Sequence, residues 1–318
     1  MYSVLIDAVL SSSPDYDLLF ESLSWPSESW PETERVEALT ALIEGLGPLL
    51  ADTDSTLLTC VKRRCIQEKI ESVIWTKCLP FLSRISAGEG ARCKESTFAV
   101  CRLLSVCVAL CGEAVWRRAA LSILQSFQPS EEDLPGSGRL SVEVATEVIA
   151  ALIPFLSADE QLTLNTLSSA LSSIRSLPDA IVSKIIVRIL LTLLNCCSVE
   201  MSNSICQSIL DDLCGWHSAD RTPAVTERTL LCLTALSDHL LKPTSPPSSC
   251  LCKPDPRLCP QFWGIIQDGL IHRDGVSRKR ALYLLKRCAA LSEEEGCDCL
   301  PSAAEEGKML IHPSLYHF

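Results

Sequence analysis

Glycine is scarce in this chain, 13 of 318 residues, about 4% against an average near 7%. Sites that cradle phosphates or dinucleotides bring backbone close to the ligand, and glycine permits that approach. The scarcity therefore weighs against such an enzyme. Catalytic motifs are missing as well: there is no Gly-x-Ser-x-Gly elbow, P-loop, Gly-x-Gly-x-x-Gly or His-Glu-x-x-His. The five histidines, His217, His239, His272, His312 and His317, are dispersed and make no i, i+4 metal pair. His239 follows Asp238 near an expected helix C-terminus, where an imidazolium would complement the helix dipole. Adjacent acids such as Asp211–Asp212 and Glu293–Glu295 do not face each other on a helix and read as solvated charge.

Long charge-free apolar runs are missing too. The most apolar stretch, "AIVSKIIVRILLTLLNCC", is interrupted by Lys184 and Arg188, whereas a membrane span needs about 18 residues nearly without charge. The opening "MYSVLIDAVLSSSPDYD" has no basic start and carries Asp7, which is not the pattern of a signal peptide. The expectation is an intracellular protein, cytoplasmic or nuclear, neither secreted nor membrane-bound.

Hydrophobic residues make up 47% of the chain, yet aromatics only 5%. The apolar content is mostly Leu, Ala, Ile and Val, which suits helix-on-helix packing. Cysteine is abundant, with 18 residues. Most fit helical apolar faces as small hydrophobes, as Cys101, Cys107 and Cys111 do in "FAVCRLLSVCVALC". The exceptions are Cys250, Cys252 and Cys259 in "CLCKPDPRLC" and Cys297 and Cys299 in "CDC". These five are weak candidates for zinc, because C-x-C matches poorly the paired C-x₂₋₄-C spacing of structural sites.

The dominant periodicity is helical. "PETERVEALTALIEGLG" has Pro31 at its front, acids in its first turn, and Val36, Leu39, Leu42, Ile43 and Leu46 at helical spacing, with Gly47-Pro48 as an expected stop. Further helices are expected over 65–86, 93–111, 112–126, 141–156, 159–175, 179–195, 201–214, 223–241, 260–271 and 276–291, and period-2 strands are absent. One phrase recurs, "GPLLADTD", "LPFLSRIS" and "IPFLSADE", with Pro48, Pro80 and Pro154 spaced by 32 and 74 residues. Periods near 40 with paired helices mark HEAT and armadillo arrays. The expected fold is thus an all-α solenoid of irregular HEAT/armadillo-like repeats. Its expected division is helical repeats over 1–127, a loop over 128–140, central helical repeats over 141–241, a Pro/Cys-rich loop over 242–260, a basic helical pair over 261–291, and a partly disordered tail over 292–318. The last residues, "MLIHPSLYHF", stay apolar, so a further element is expected to follow.

Against an overall charge of −11, the stretch Arg273–Arg287 carries six basic residues and one acid. On a 3.6-residue helix, Ser277 is an expected N-cap. Ala281, Leu282, Leu284, Leu285, Cys288 and Ala289 form one arc, and Lys279, Arg280, Tyr283, Lys286 and Arg287 the opposite arc of about 120°. With Arg273 and Arg278, these make a basic ridge with an aromatic in its middle, suited to a phosphate backbone with a ring for a base or sugar. A solvated face is the bland alternative. Smaller basic clusters are Lys62, Arg63 and Arg64, and Arg117 and Arg118.

"FWGIIQDGLIHRDGVSRKRALYLLKRC" with the following "LSEEEGCDC" is similar to the N-terminal region of the large eukaryotic tRNA guanosine-2′-O-methyltransferases of the SPOUT class. "MYSVLIDAVLSSS", "ERVEALTALIEGL" and "PSLYHF" resemble the same family. The resemblance implies a helical-repeat arm that precedes a knotted methyltransferase domain using S-adenosylmethionine. Nothing in these residues resembles that domain, so no catalytic or cofactor residue carries over. The implied role is to bind or orient tRNA or another structured RNA beside the methyltransferase domain. Two alternatives stand: a HEAT-like scaffold for a protein partner or second copy, and a zinc-binding module.

Overall fold

In this computed structural model the described residues are 30–51, 67–68, 70–86, 94–128, 140–242 and 255–295. They are helical throughout, joined by turns and short 3₁₀ segments, with no strand among them. No helix among them is long and apolar enough to cross a membrane. The chain forms two compact units, Met1–Cys197 and Ser198–Phe318. The division falls inside the stretch 141–241 that the sequence reads as one run of repeats.

The first unit opens with α1 (Glu32–Ala51). It does not stop at Gly47-Pro48, as the sequence suggests, but runs on to Ala51. A proline in a last turn forfeits one i→i−4 bond while its fixed φ remains helical. A π-turn, Ile74–Cys78, then leads into α2 (Leu79–Arg84). α3 (Lys94–Cys111) and α4 (Glu113–Leu124) are separated by Gly112, whose φ of 86° suits a residue without Cβ. α5 (Val142–Leu156) is the central helix of the unit. Its Ala145, Val148, Ile149, Leu152, Ile153 and Leu156 are fully buried, and α3, α4, α6 (Glu160–Ile174), α7 (Asp179–Ile185) and α8 (Leu191–Cys196) all pack on it. The α5–α6 corner is held by Asp159, which accepts from Leu162 N at 3.1 Å, and by Thr163 Oγ1, which donates to Leu156 O at 2.8 Å.

Sequence periodicity does not foresee the two π-turns, Ile74–Cys78 and Ile186–Leu190, although their cause is written in it. Ile70, Ile74, Cys78 and Leu82 are all fully buried at a spacing of four, and so are Ile185, Ile189 and Leu193. A regular α-helix turns about 400° in four residues, so such a ladder drifts by about 40° per step. A wider turn absorbs the drift and keeps the ladder on the core.

The second unit consists of two helical hairpins side by side. α9 (Val199–Ala219) packs on α10 (Pro223–Ala235) and α12 (Pro260–Leu270), α10 also packs on α12 and on α13 (Gly275–Glu295), and α12 packs on α13. α9 extends beyond the expected 201–214 because Trp216 and His217 continue its buried stripe. The helix expected over 223–241 is interrupted at Leu236, after which α11 (Ser237–Leu240) follows. Phe262 and Trp263 meet edge to face at 5.6 Å, and Trp263 Nε1 donates to Arg257 O at 2.8 Å. At Gly269 the helices approach so closely that a Cβ would lie 2.7 Å from Leu230 and 2.8 Å from Ala281.

Candidate nucleic-acid interface

Ser277, Ala281, Leu284, Cys288, Leu291 and Ser292 form the buried stripe of α13. The steps of four, three, four, three and one seat that face on α10 and α12. The N-cap is Asp274 rather than Ser277. Asp274 Oδ2 accepts from Ser277 N at 2.8 Å and from Ser277 Oγ at 3.0 Å. Those bonds hold the Asp274 carboxyl below its ordinary range, the Ser277 backbone N–H contributing most. Asp274 N donates to His272 Nδ1 at 3.1 Å, so the other ring nitrogen carries the hydrogen toward Pro223 O, also at 3.1 Å. These contacts fix the α12–α13 corner and with it the direction of the ridge.

The seven ridge residues divide into three groups. Arg278 turns back and gives Nη1 to His272 O at 2.7 Å and Arg273 O at 2.8 Å; it closes the corner. Arg287 reaches Asp238 Oδ1 at 3.3 Å, a long bond to an exposed acid, and Tyr283 Oη lies 3.3 Å from Ser237 Oγ with the residue 44% exposed. Arg273, Lys279 and Lys286 are exposed and Arg280 half-buried, and none has an acidic partner among the described residues. Leu282, assigned to the apolar arc by the helical wheel, is exposed between Lys279 and Lys286. The buried arc is centred nearer Ala281 and Cys288, which turns Leu282 outward.

The charge of α13 runs against its own dipole. Its first turn holds no acid and is followed at once by Arg278, Lys279 and Arg280, while its end is Glu293, Glu294 and Glu295. Helices favour the reverse, acids first and bases last. The placement therefore costs helix stability, and Asp274 outside the first turn offsets only part of that cost.

The smaller clusters differ. Arg117 binds Glu113 at 2.9 Å and Asp159 at 2.6 Å, and Arg118 pairs with Glu71 while lying 4.8 Å over the Trp75 ring. Both arginines are thus engaged by acids. Lys62, Arg63, Arg64, Cys250, Cys252, Cys297 and Cys299 lie outside the described residues. Cys259 is described. Its thiol donates to Gln261 Oε1 at 3.1 Å and touches Cys214 Sγ at 3.9 Å. Among the described residues no three His, Cys, Asp or Glu side chains are grouped to hold a metal. At His239, where a charged imidazole is expected at a helix end, burial and then Lys242 push the pKa down and disfavour that charge, against the pull of Asp238. The buried His217 lies 3.1 Å from Asp268 Oδ2, and burial outweighs that carboxylate and lowers its pKa.

One stretch of the chain resembles a known enzyme. The mouse protein named tRNA (guanosine(18)-2'-O)-methyltransferase TARBP1 is 42% identical to it over 71 residues, 22% of this chain. That stretch spans 4% of the mouse protein's length. No family model matches the chain, and no solved structure matches it.

Proposed function

We propose that this chain is an RNA-contacting, HEAT-like helical arm related to a tRNA 2′-O-methyltransferase, and that the outer face of α13 is its contact surface. The observation that carries the reading is Lys279, Arg280 and Lys286, held on one face of α13 without acidic partners among the described residues. A phosphate backbone would supply the missing negative charge, and Tyr283 offers a ring for stacking. The local likeness to a tRNA methyltransferase supports RNA as the polyanion. Methyl transfer and S-adenosylmethionine would belong to a separate catalytic domain that these residues do not resemble. A scaffold reading has one observation in its favour: Leu282 is 40% exposed within the ridge and would fit an acidic, amphipathic protein surface.

The test is binding of fluorescently labelled tRNA by anisotropy at low and physiological salt. Wild type is compared with the variant Lys279→Glu, Arg280→Glu, Lys286→Glu. Saturable binding that both salt and the triple substitution weaken supports the proposal. A folded wild-type chain that binds no tRNA at low salt overturns it in favour of the scaffold.

A further inference from the structure

The second unit holds a thiol pair that the proposed RNA surface does not use. Cys214 lies on α9 and Cys259 is the residue that caps α12. They are 45 residues apart in sequence, yet their sulfurs stand 3.9 Å apart. A disulfide needs about 2.05 Å between sulfurs, a closure of under 2 Å. The two thiols differ in access: Cys214 is only 6% exposed, whereas Cys259 is half-buried. Cys259 also has a polar neighbour, the Gln261 side-chain oxygen, to which its S–H donates.

We propose that Cys214 and Cys259 are an oxidative modification site, in which a hydroperoxide converts the two thiols to a reversible disulfide between α9 and the start of α12. Cys259 reacts first because it is the one that solvent reaches. Its sulfur displaces one oxygen of hydrogen peroxide, giving a Cys259 sulfenic acid and one water. The Cys214 sulfur then attacks the sulfenic sulfur, forming the S–S bond. The sulfenic hydroxyl leaves with the Cys214 proton as a second water. Two electrons pass from the thiol pair to the peroxide, and a small-molecule dithiol returns them. The order also suits the environment of Cys214. Burial first and the neighbouring Cys259 second push its thiol up to about 12. It is thus a poor first reactant, which leaves the more accessible Cys259 to meet the peroxide.

The experiment treats the full chain with graded hydrogen peroxide, blocks the remaining thiols by alkylation, digests without reductant and reads linked peptides by mass spectrometry. The expected product is a Cys214–Cys259 linked pair that dithiothreitol abolishes. In Cys214→Ser the link is lost and Cys259 is instead captured as a sulfenic acid by a 1,3-dione probe. In Cys259→Ser the link is lost and Cys214 stays reduced, while an unchanged far-ultraviolet spectrum shows the fold intact. A link from Cys259 to Cys250 or Cys252 in place of Cys214 overturns the proposal. So does a Cys214 that stays reduced in wild type while other thiols oxidise.

Discussion

Asp274, at the N-terminal cap of α13, and Tyr283, in the middle of that helix, should fail in different ways. Asp274 holds the corner, and its depressed pKa sets the sign of its pH dependence. Its contribution is present above the carboxylate's unfolded value, about 3.9, and is lost as pH falls through the lower folded value. Asp274→Ala should therefore lower the melting temperature at neutral pH, and the gap from wild type should shrink in melts run progressively below pH 4. The Tyr283 hydroxyl lies 3.3 Å from Ser237 Oγ and is not needed for stacking by the ring, so Tyr283→Phe should bind RNA as wild type does. Tyr283→Ala should lose about 1–3 kcal/mol if a base stacks there, with little change in salt dependence. A loss that follows salt instead would speak against stacking. Gly269 belongs at this scale too. Gly269→Ala drives a methyl into Leu230 and Ala281 and should cost about 1–3 kcal/mol in urea unfolding.

At the scale of the helix, function and stability pull α13 in opposite directions. Replacing Lys279 and Arg280 with Glu puts acids near its N-terminus, where the dipole favours them. The variant should melt at or above the wild-type temperature, yet bind RNA on the order of tenfold more weakly. A drop in both would mean that these residues support the fold and not a ligand. Much of this helix is legible from sequence. The alternation of Ala281, Leu284 and Cys288 with Lys279, Lys286 and Arg287 fixes a buried face and a basic face, and the structure keeps both. What the wheel misses is directional. It cannot tell that Arg278 folds back onto two carbonyls, or that the core lies slightly to one side and leaves Leu282 outside. Likewise nothing in "VWRRAA" says that Glu71, Glu113 and Asp159 stand ready for its arginines, because two of those acids come from other elements. Capping fares similarly. Ser277 is a reasonable N-cap by type, but Asp274, three residues earlier, has a carboxylate that reaches both Ser277 donors.

For the molecule as a whole, the division after Cys197 is the useful fact. The second unit has its own core, with Ile205, Ile209, Leu213, Leu230, Phe262, Ile265 and Leu284 all buried to 1% exposure or less. Expressed alone, residues 198–295 should unfold cooperatively and bind tRNA much as the full chain does, whereas residues 1–197 should not. With Lys279, Arg280 and Lys286 as the phosphate contacts, the logarithm of affinity should fall with the logarithm of salt at a slope of roughly −2 to −3. A much steeper slope would assign further cations elsewhere in the chain. The fold class follows from composition and period, since a Leu/Ala-rich, Gly-poor chain with apolar residues three and four apart has little option but helix packing. The domain division does not follow, because no proline or glycine marks the Cys197–Ser198 junction.

The widened turn at Ile186–Leu190 has a meaning in the language of insertions and deletions. Val187, within it, is 56% exposed and contributes nothing to the core. Removing it would bring the buried positions on either side into steps of three and four, the spacing an ordinary α-helix prefers. A one-residue deletion usually turns the rest of a helix away from its neighbours. Here the deletion would straighten the helix and keep Ile189, Leu190, Leu193 and Leu194 facing inward, so the turn is a place where the chain carries one residue more than its own core requires.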